Sequence, residues 1–397
     1  MRLRRASKLR GGLLVLALGG GLVVANVATA SADDPSLTSY ETIATGLHNP
    51  RQMSVGPDGS LYVAEAGTGA LDAAHPGTCT TGDEGETCAG DTSSITVIES
   101  PANQPYVFRW VKGLLSFADR TGDGAVGLDA VSVTRTGQVY GIITYGDPVT
   151  IPSTVLAQNG KLLRFRLDGS HVSLADIGAQ SLAHPIPGSH QPFETDPYGV
   201  LALRGRILVA DAAANLVYSV HDGAIDNFAS FEFRPQDDID GVPTSIAYHD
   251  GKIYVGQLSS LEPGRAKITI YDLEGDVLDT ITGLSSVTGV AVAPNGDIYA
   301  AEIFTGPPGP DTKGALVKIP ADGSERTTVE LDAPGGVAVD RAGNVYVTVN
   351  SVSGSDGKVI RFSGGHSETP LADKLSYHSH DGSAPDGDAA YHDHTYD

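Results

Sequence analysis

One pattern recurs six times along this 397-residue chain. An apolar strand leads into a tight turn, usually with glycine, and a second strand rich in Tyr, Val and Ile follows. The second strands read as residues 61–65, 139–143, 207–211, 253–257, 298–302 and 345–349. The last four start 46, 45 and 47 residues apart, and the two earlier gaps stretch to 78 and 68. Turns such as Pro57-Asp58-Gly59 and Pro294-Asn295-Gly296 precede these strands, because glycine supplies the positive φ that tight hairpins need. Third strands follow at 94–99, 161–166, 216–220, 267–272, 315–319 and 358–362, with fourth strands at 277–281 and 326–331. Four antiparallel strands at a period near 46 define a propeller blade, so the chain predicts an all-β, six-bladed β-propeller with insertions in its first two blades. The 49 glycines and 23 prolines suit many short strands and turns.

Closure of the ring is also legible. The last repeat shows three strands, and the segment 39–45 before the first repeat resembles the missing fourth. It predicts that the N-terminus completes blade six and removes the open edge. A competing candidate, 368–372, contains Pro370. Residues 1–32 read as a secretory signal peptide: a basic start from Arg2 to Arg10, an apolar run from Gly11 to Val24, and Ala30-Ser31-Ala32 as the cleavage signal. The propeller then occupies 33–373, with no membrane span expected after signal removal. Residues 374–397 form an acidic, His-rich tail that reads as disordered, although His378, His380, His392 and His394 make two His-x-His pairs of the kind that hold transition metals.

Loss of the signal removes five cations and no anion, taking the net charge from −22 to −27. Such a surface repels nucleic acid and anionic lipid and favours cations. A secreted, extracellular location makes the close pair Cys79 and Cys88, in a Gly-rich loop, a disulfide; metal ligation is the alternative, with no CxxC or HxxxH spacing beside it.

Blade topology separates two faces. Loops joining strands one to two and three to four are short. Loops joining two to three, together with the interblade stretch 180–197, are long: 66–92, 145–158, 259–265, 303–313 and 351–356. Long loops on one side of a rigid scaffold commonly carry function. The second strands end on that face at Glu65, Asp211, Gln257, Glu302 and, one place later, Asn350, with Ile143 interrupting the ring. The first strands begin there near Arg51, Asp129, Tyr198, Thr244 and Thr288. These ends are the ligand-binding candidates, joined by His190 in the long loop before Asp196-Pro197-Tyr198-Gly199. Glu65, Asp211 and Glu302 could supply oxygen ligands to a hard cation such as calcium, or could simply bond to neighbouring backbone. Asp119-Arg-Thr-Gly-Asp-Gly124 suggests a calcium loop, but position twelve is Ala130, so a turn is expected.

Several passages resemble the ScyD/ScyE family of exported NHL-like propeller proteins. They are Gly46-Leu-His-Asn-Pro-Arg51, Gly56-Pro-Asp-Gly59, Leu61-Tyr-Val-Ala-Glu-Ala-Gly67, Gly85-Glu-Thr-Cys88, Asp196-Pro-Tyr-Gly-Val-Leu-Ala-Leu203, Val209-Ala-Asp-Ala212, Val242-Pro-Thr-Ser245 and Pro334-Gly-Gly-Val337. The resemblance implies a six-bladed propeller outside the cytoplasm and leaves its reaction, if any, open. The expected function is a secreted, non-enzymatic propeller binding an extracellular protein, glycan or small molecule on its long-loop face. The alternative is a calcium-dependent hydrolase of the lactonase or gluconolactonase type, with Glu65, Asp211 and Glu302 as carriers. A quinone-dependent dehydrogenase shares the fold class but needs a His/Arg-rich pocket that the sequence does not display.

Overall fold

The computed structural model describes residues 37–70, 78–82, 85–148, 151–184, 194–231, 239–309 and 311–363. The signal segment, the tail and the proposed strand 368–372 lie outside them. Six antiparallel sheets follow one another around a ring, and the innermost strand of each packs against those of the blades before and after it. From the axis outwards, blade 1 is Pro50–Val55, Leu61–Glu65, Gly85–Glu99 and Tyr106–Ala118. Blade 2 is Leu128–Val133, Val139–Ile143, Lys161–Phe165 and His171–Asp176; blade 3 is Pro197–Leu203, Arg206–Asp211, Leu216–His221 and Ala224–Ser230. Blade 4 is Pro243–His249, Lys252–Gln257, Ala266–Tyr271 and Val277–Leu284; blade 5 is Val287–Val292, Ile298–Glu302, Gly314–Ile319 and Thr327–Leu331. Blade 6 takes Val337–Val339, Val345–Val349 and Gly357–Phe362 from the C-terminal end and Tyr40–Leu47 from the N-terminal end. The expected closure is therefore present, with Tyr40 opposite Phe362 and Leu47 opposite Gly357.

Burial follows distance from the axis. A second strand is covered on both faces by neighbouring blades, so every residue of Ile298–Glu302 and Val345–Val349 is buried. Such strands read as continuous apolar runs. The outer strand of blade 4 has no further neighbour and leaves Val277 61% and Leu278 52% exposed. Near the axis the backbones come closest. A Cβ on Gly199 would lie 2.4 Å from the Thr244 carbonyl, and one on Gly336 would lie 2.7 Å from that of Arg51. No larger residue fits there without parting the inner strands.

Two elements depart from expectation. The third strand of blade 1 begins at Gly85 and runs for 15 residues, because its early part pairs both with Thr78–Gly82 and with the long outer strand. Cys79 stands opposite Cys88 in that extra hairpin, and the two form the disulfide. The short helix Ile177–Ala183 was not expected; Asp176 caps it by accepting the Ala179 amide at 3.0 Å. At seven residues it is too short to display helical periodicity.

Leu47, 2% exposed, packs in a cluster shared by blades 6 and 1. Leu47→Ala should lower the unfolding free energy by about 2–4 kcal/mol in urea titration. A loss below about 0.5 kcal/mol would show that the N-terminal strand contributes nothing to closure.

Candidate functional site

The candidate site is the axial mouth on the long-loop face. Five inner strands carry one extra residue near their start, against the partner strand: the register slips between Pro50 and Met53, Leu128 and Ala130, Pro197 and Gly199, Pro243 and Ser245, and Val287 and Gly289. Such bulges re-aim side chains. The residues within them are Arg51 with Gln52, then Asp129, Tyr198, Thr244 and Thr288. This set includes every inner-strand position singled out from the sequence.

Gln52 reaches across the axis. Its amide donates to the carbonyls of Thr244 at 2.7 Å and Thr288 at 3.2 Å, so blade 1 is tied to blades 4 and 5 on the far side of the ring. Beyond it lies a cavity of about 70 Å³, lined by residues from all six blades, among them Met53, Val131, Val200, Ile246, Val290 and Val337. Gln52 thus forms a floor between this cavity and the mouth.

Above that floor Arg51, Asp129 and Tyr198 meet. Arg51 and Asp129 are wholly buried, and Tyr198 is 4% exposed. One Arg51 Nη donates to the Ala125 carbonyl, and Nε lies 3.6 Å from Asp129 Oδ1, beyond hydrogen-bond reach. Burial pushes the Asp129 carboxyl well above its usual range, against the pull of Arg51. Burial likewise lifts the Tyr198 phenol to about 12, while the neighbouring Arg51 opposes the shift. Asp196 joins this group through its charge. It keeps some exposed surface, yet its carboxyl is enclosed by protein, accepts the Thr144 hydroxyl at 2.7 Å, and is raised to about 6, chiefly by burial. The aspartate was not among the sequence candidates, although the Asp-Pro-Tyr-Gly passage contains it.

The carboxylates at the second-strand ends do something different. Glu65 accepts the His48 amide at 2.6 Å, both Arg109 nitrogens at 2.8 and 2.9 Å, and the hydroxyls of Ser94 and Thr96. Asp211 accepts the Asp196 and Ala214 amides at 2.7 and 3.1 Å and the Ser181 and Thr195 hydroxyls, both at 2.6 Å. Glu302 accepts the Ser285 amide at 2.9 Å. In each case the carboxylate ties down the backbone just before its own blade's first strand. The three are spent within blades 1, 3 and 5. Among the described residues no three His, Cys, Asp or Glu side chains gather closely enough to hold a metal ion. Of the two readings open for Glu65, Asp211 and Glu302, a shared cation or bonds to neighbouring backbone, the hydrogen bonds present are those of the second.

The remaining candidates are also dispersed. Gln257 donates to the Thr269 hydroxyl at 2.8 Å, and Asn350 donates to the Asp356 carbonyl at 3.0 Å. His190 lies outside the described residues. The Asp119 loop is a turn, its carboxylate accepting the Thr121 amide at 2.7 Å, and Asp123 receives the Gly354 amide at 2.8 Å.

No protein-family profile and no curated protein matches the chain. Solved structures do. A gluconolactonase from Xanthomonas campestris aligns over 88% of this chain and 99% of its own, with a TM-score of 0.51 and 12% identity. A putative gluconolactonase aligns over 83% and 94% at a TM-score of 0.47 and 10% identity, and the WD40 propeller domain of Doa1 over 82% and 97% at 0.44 and 13%. At such identities the likeness concerns fold alone. Fold and topology together define the class: a six-bladed β-propeller.

Glu302 provides a test of the strand-end arrangement. Burial raises its carboxyl to about 7 from an ordinary 4.5. A raised folded pKa means full stability below the unfolded pKa and progressive loss as pH climbs through the folded one. Wild type should therefore lose on the order of 2 kcal/mol between pH 4.5 and 8 relative to Glu302→Gln, whose amide oxygen can still accept the Ser285 amide. Urea titrations across that range measure it; parallel profiles would show that Glu302 ionises normally.

Proposed function

We propose that this chain is an exported binding propeller that takes a protein, glycan or small-molecule ligand on its long-loop face. The observation that carries the reading is the asymmetry of the two faces. Turns on one side are as short as Arg204-Gly205, whereas the other side carries the extra Thr78–Gly82 hairpin, the Ile177–Ala183 helix and the connection between Glu302 and Gly314. The disulfide favours an oxidising compartment. Among the described residues no helix is long and apolar enough to cross a membrane. The resemblance to ScyD/ScyE proteins agrees with an exported propeller.

A calcium-dependent lactonase is the competing reading. It draws on the fold shared with a gluconolactonase. It needs the carboxylates of Glu65, Asp211 and Glu302 to reach one ion, and each already accepts hydrogen bonds within its own blade. Buried carboxylates with such partners serve structure first.

The two readings part in one experiment. The purified protein is applied to a glycan array and incubated with glucono-lactone, in calcium and in EDTA. Binding that is lost when 304–312 is replaced by a short turn, and kept when Pro57-Asp58-Gly59 is replaced by Ser-Asn-Gly, supports the binding face. Calcium-dependent lactone turnover abolished by Glu302→Gln would establish the hydrolase instead.

A further inference from the structure

An apolar cluster gathers the long-loop ends of blades 3 to 6. Tyr198, Ala212, Val242, Leu258 and Ile303 are buried in it, and Leu261, Phe304, Ala333 and Val352 pack against them while remaining half-exposed. Several of these side chains are held on unfavourable backbone. Val242, Leu261 and Ala333 have φ of 50°, 61° and 39°, and Ser259 and Ser260, just before Leu261, have 51° and 54°. None is glycine, and Val242 is β-branched, the kind of side chain that the left-handed region tolerates least. The short-turn face uses Gly59, Gly137, Gly296 and Gly343 for the same region. Backbone strain of this kind collects where side chains are presented to a ligand.

We propose that Leu261, Phe304, Ala333 and Val352 form the docking patch for a protein partner that presents an apolar side chain among basic ones. The proposal rests on the binding-face reading and narrows its ligand classes to one. An apolar centre inside a charged rim is the build of a protein interface. Polar side chains that could grip sugar hydroxyls are spent within the loops: Asn215 donates to Asp240, Thr305 to the Lys313 carbonyl and Asn350 to the Asp356 carbonyl, each at 3.0 Å. Charge sets the sign of the partner. The loops that carry the patch expose Glu262, Asp311, Asp332 and Asp356 against Arg265 and Lys313, and Lys313 is itself paired with Asp332. Exposed Asp123 adjoins the patch, because the neighbouring Gly124 amide donates to the Val352 carbonyl at 2.9 Å. Carboxylates therefore outnumber cations around the apolar centre, in a chain whose net charge is already −22. A basic rim on the partner is attracted, and an anionic glycan or lipid surface is repelled.

The test is the selection of a random peptide library, displayed on phage, against the immobilised full-length protein at physiological ionic strength. Recovered peptides should combine Leu, Phe or Trp with Lys or Arg. A synthetic copy of the leading peptide should bind Phe304→Ser and Val352→Ser on the order of tenfold more weakly than wild type. It should bind Leu278→Ser, altered on the outer strand of blade 4, as well as wild type. Melting curves of all three variants establish that the ring stays folded. Peptides bound as tightly by Phe304→Ser and Val352→Ser as by wild type would overturn the proposal, and so would the recovery of acidic or wholly polar sequences. A glycan whose array binding is lost on replacing 304–312 but kept in both serine variants would overturn the protein patch and leave the binding-face reading standing. Selected peptides bound equally well after that loop replacement would overturn both.

Discussion

The pairing of Tyr40–Leu47 with Gly357–Phe362 is the contact on which the rest of the ring depends. Each blade buries its two faces against two neighbours, so an unclosed ring would leave bare faces at blades 6 and 1. The closing strand is also the most non-local pairing in the chain, joining segments more than 300 residues apart in sequence. Chain entropy opposes that contact until the intervening blades are in place. The strand itself is half exposed, with only Ile43, Ala44 and Leu47 buried, so a few apolar side chains and one ladder of backbone hydrogen bonds hold the ring shut.

Closure has a consequence at the axis. Six inner strands converge, and Gly199, Gly289 and Gly336 lie where backbones of adjacent blades almost touch. Side chains pointing inwards cannot reach solvent, so polar ones must find partners across the channel. Gln52 does so with carbonyls of blades 4 and 5, while Thr348, on the second strand of blade 6, donates to the Arg51 carbonyl of the adjacent blade 1 at 3.0 Å. Arg51 only partly succeeds, with one donor on Ala125 and two left over. Asp129 Oδ1 and the Ser245 hydroxyl, also on inner strands, are likewise left without a hydrogen bond, so convergence of the strands at the axis leaves several polar groups incompletely satisfied.

The carboxylates tell the opposite story. Glu65, Asp211 and Glu302 occupy equivalent strand ends, and their recurrence suggested a shared ligand. Their hydrogen bonds give that recurrence a structural account: in blades 1, 3 and 5 the acceptor at the end of the second strand anchors, through one amide, the chain as it turns into that blade's first strand. A repeated fold repeats its repairs. Equivalent positions in a propeller are therefore poor evidence for a common site unless their side chains leave the blade.

That distinction also separates what the sequence could reveal from what it could not. Blade number, strand positions, the closing strand and the cysteine pairing follow from period, turn glycines and composition. Helix Ile177–Ala183 and the long Gly85–Glu99 strand were hidden, because one is too short for periodicity and the other depends on a partner strand supplied by an insertion. At the axis, Arg51, Asp129 and Tyr198 could be singled out by strand position, but their meeting could not. Strict alternation sends consecutive residues to opposite faces, and would have turned Gln52 away if Arg51 pointed inwards. The extra residue between Pro50 and Met53 breaks that alternation, so Arg51 and Gln52 both serve the axis, one above the floor and one as the floor itself. A bulge changes side-chain direction without changing composition, and only coordinates disclose it. The most informative charge in this protein is thus placed by a backbone irregularity that repeats in five of the six inner strands.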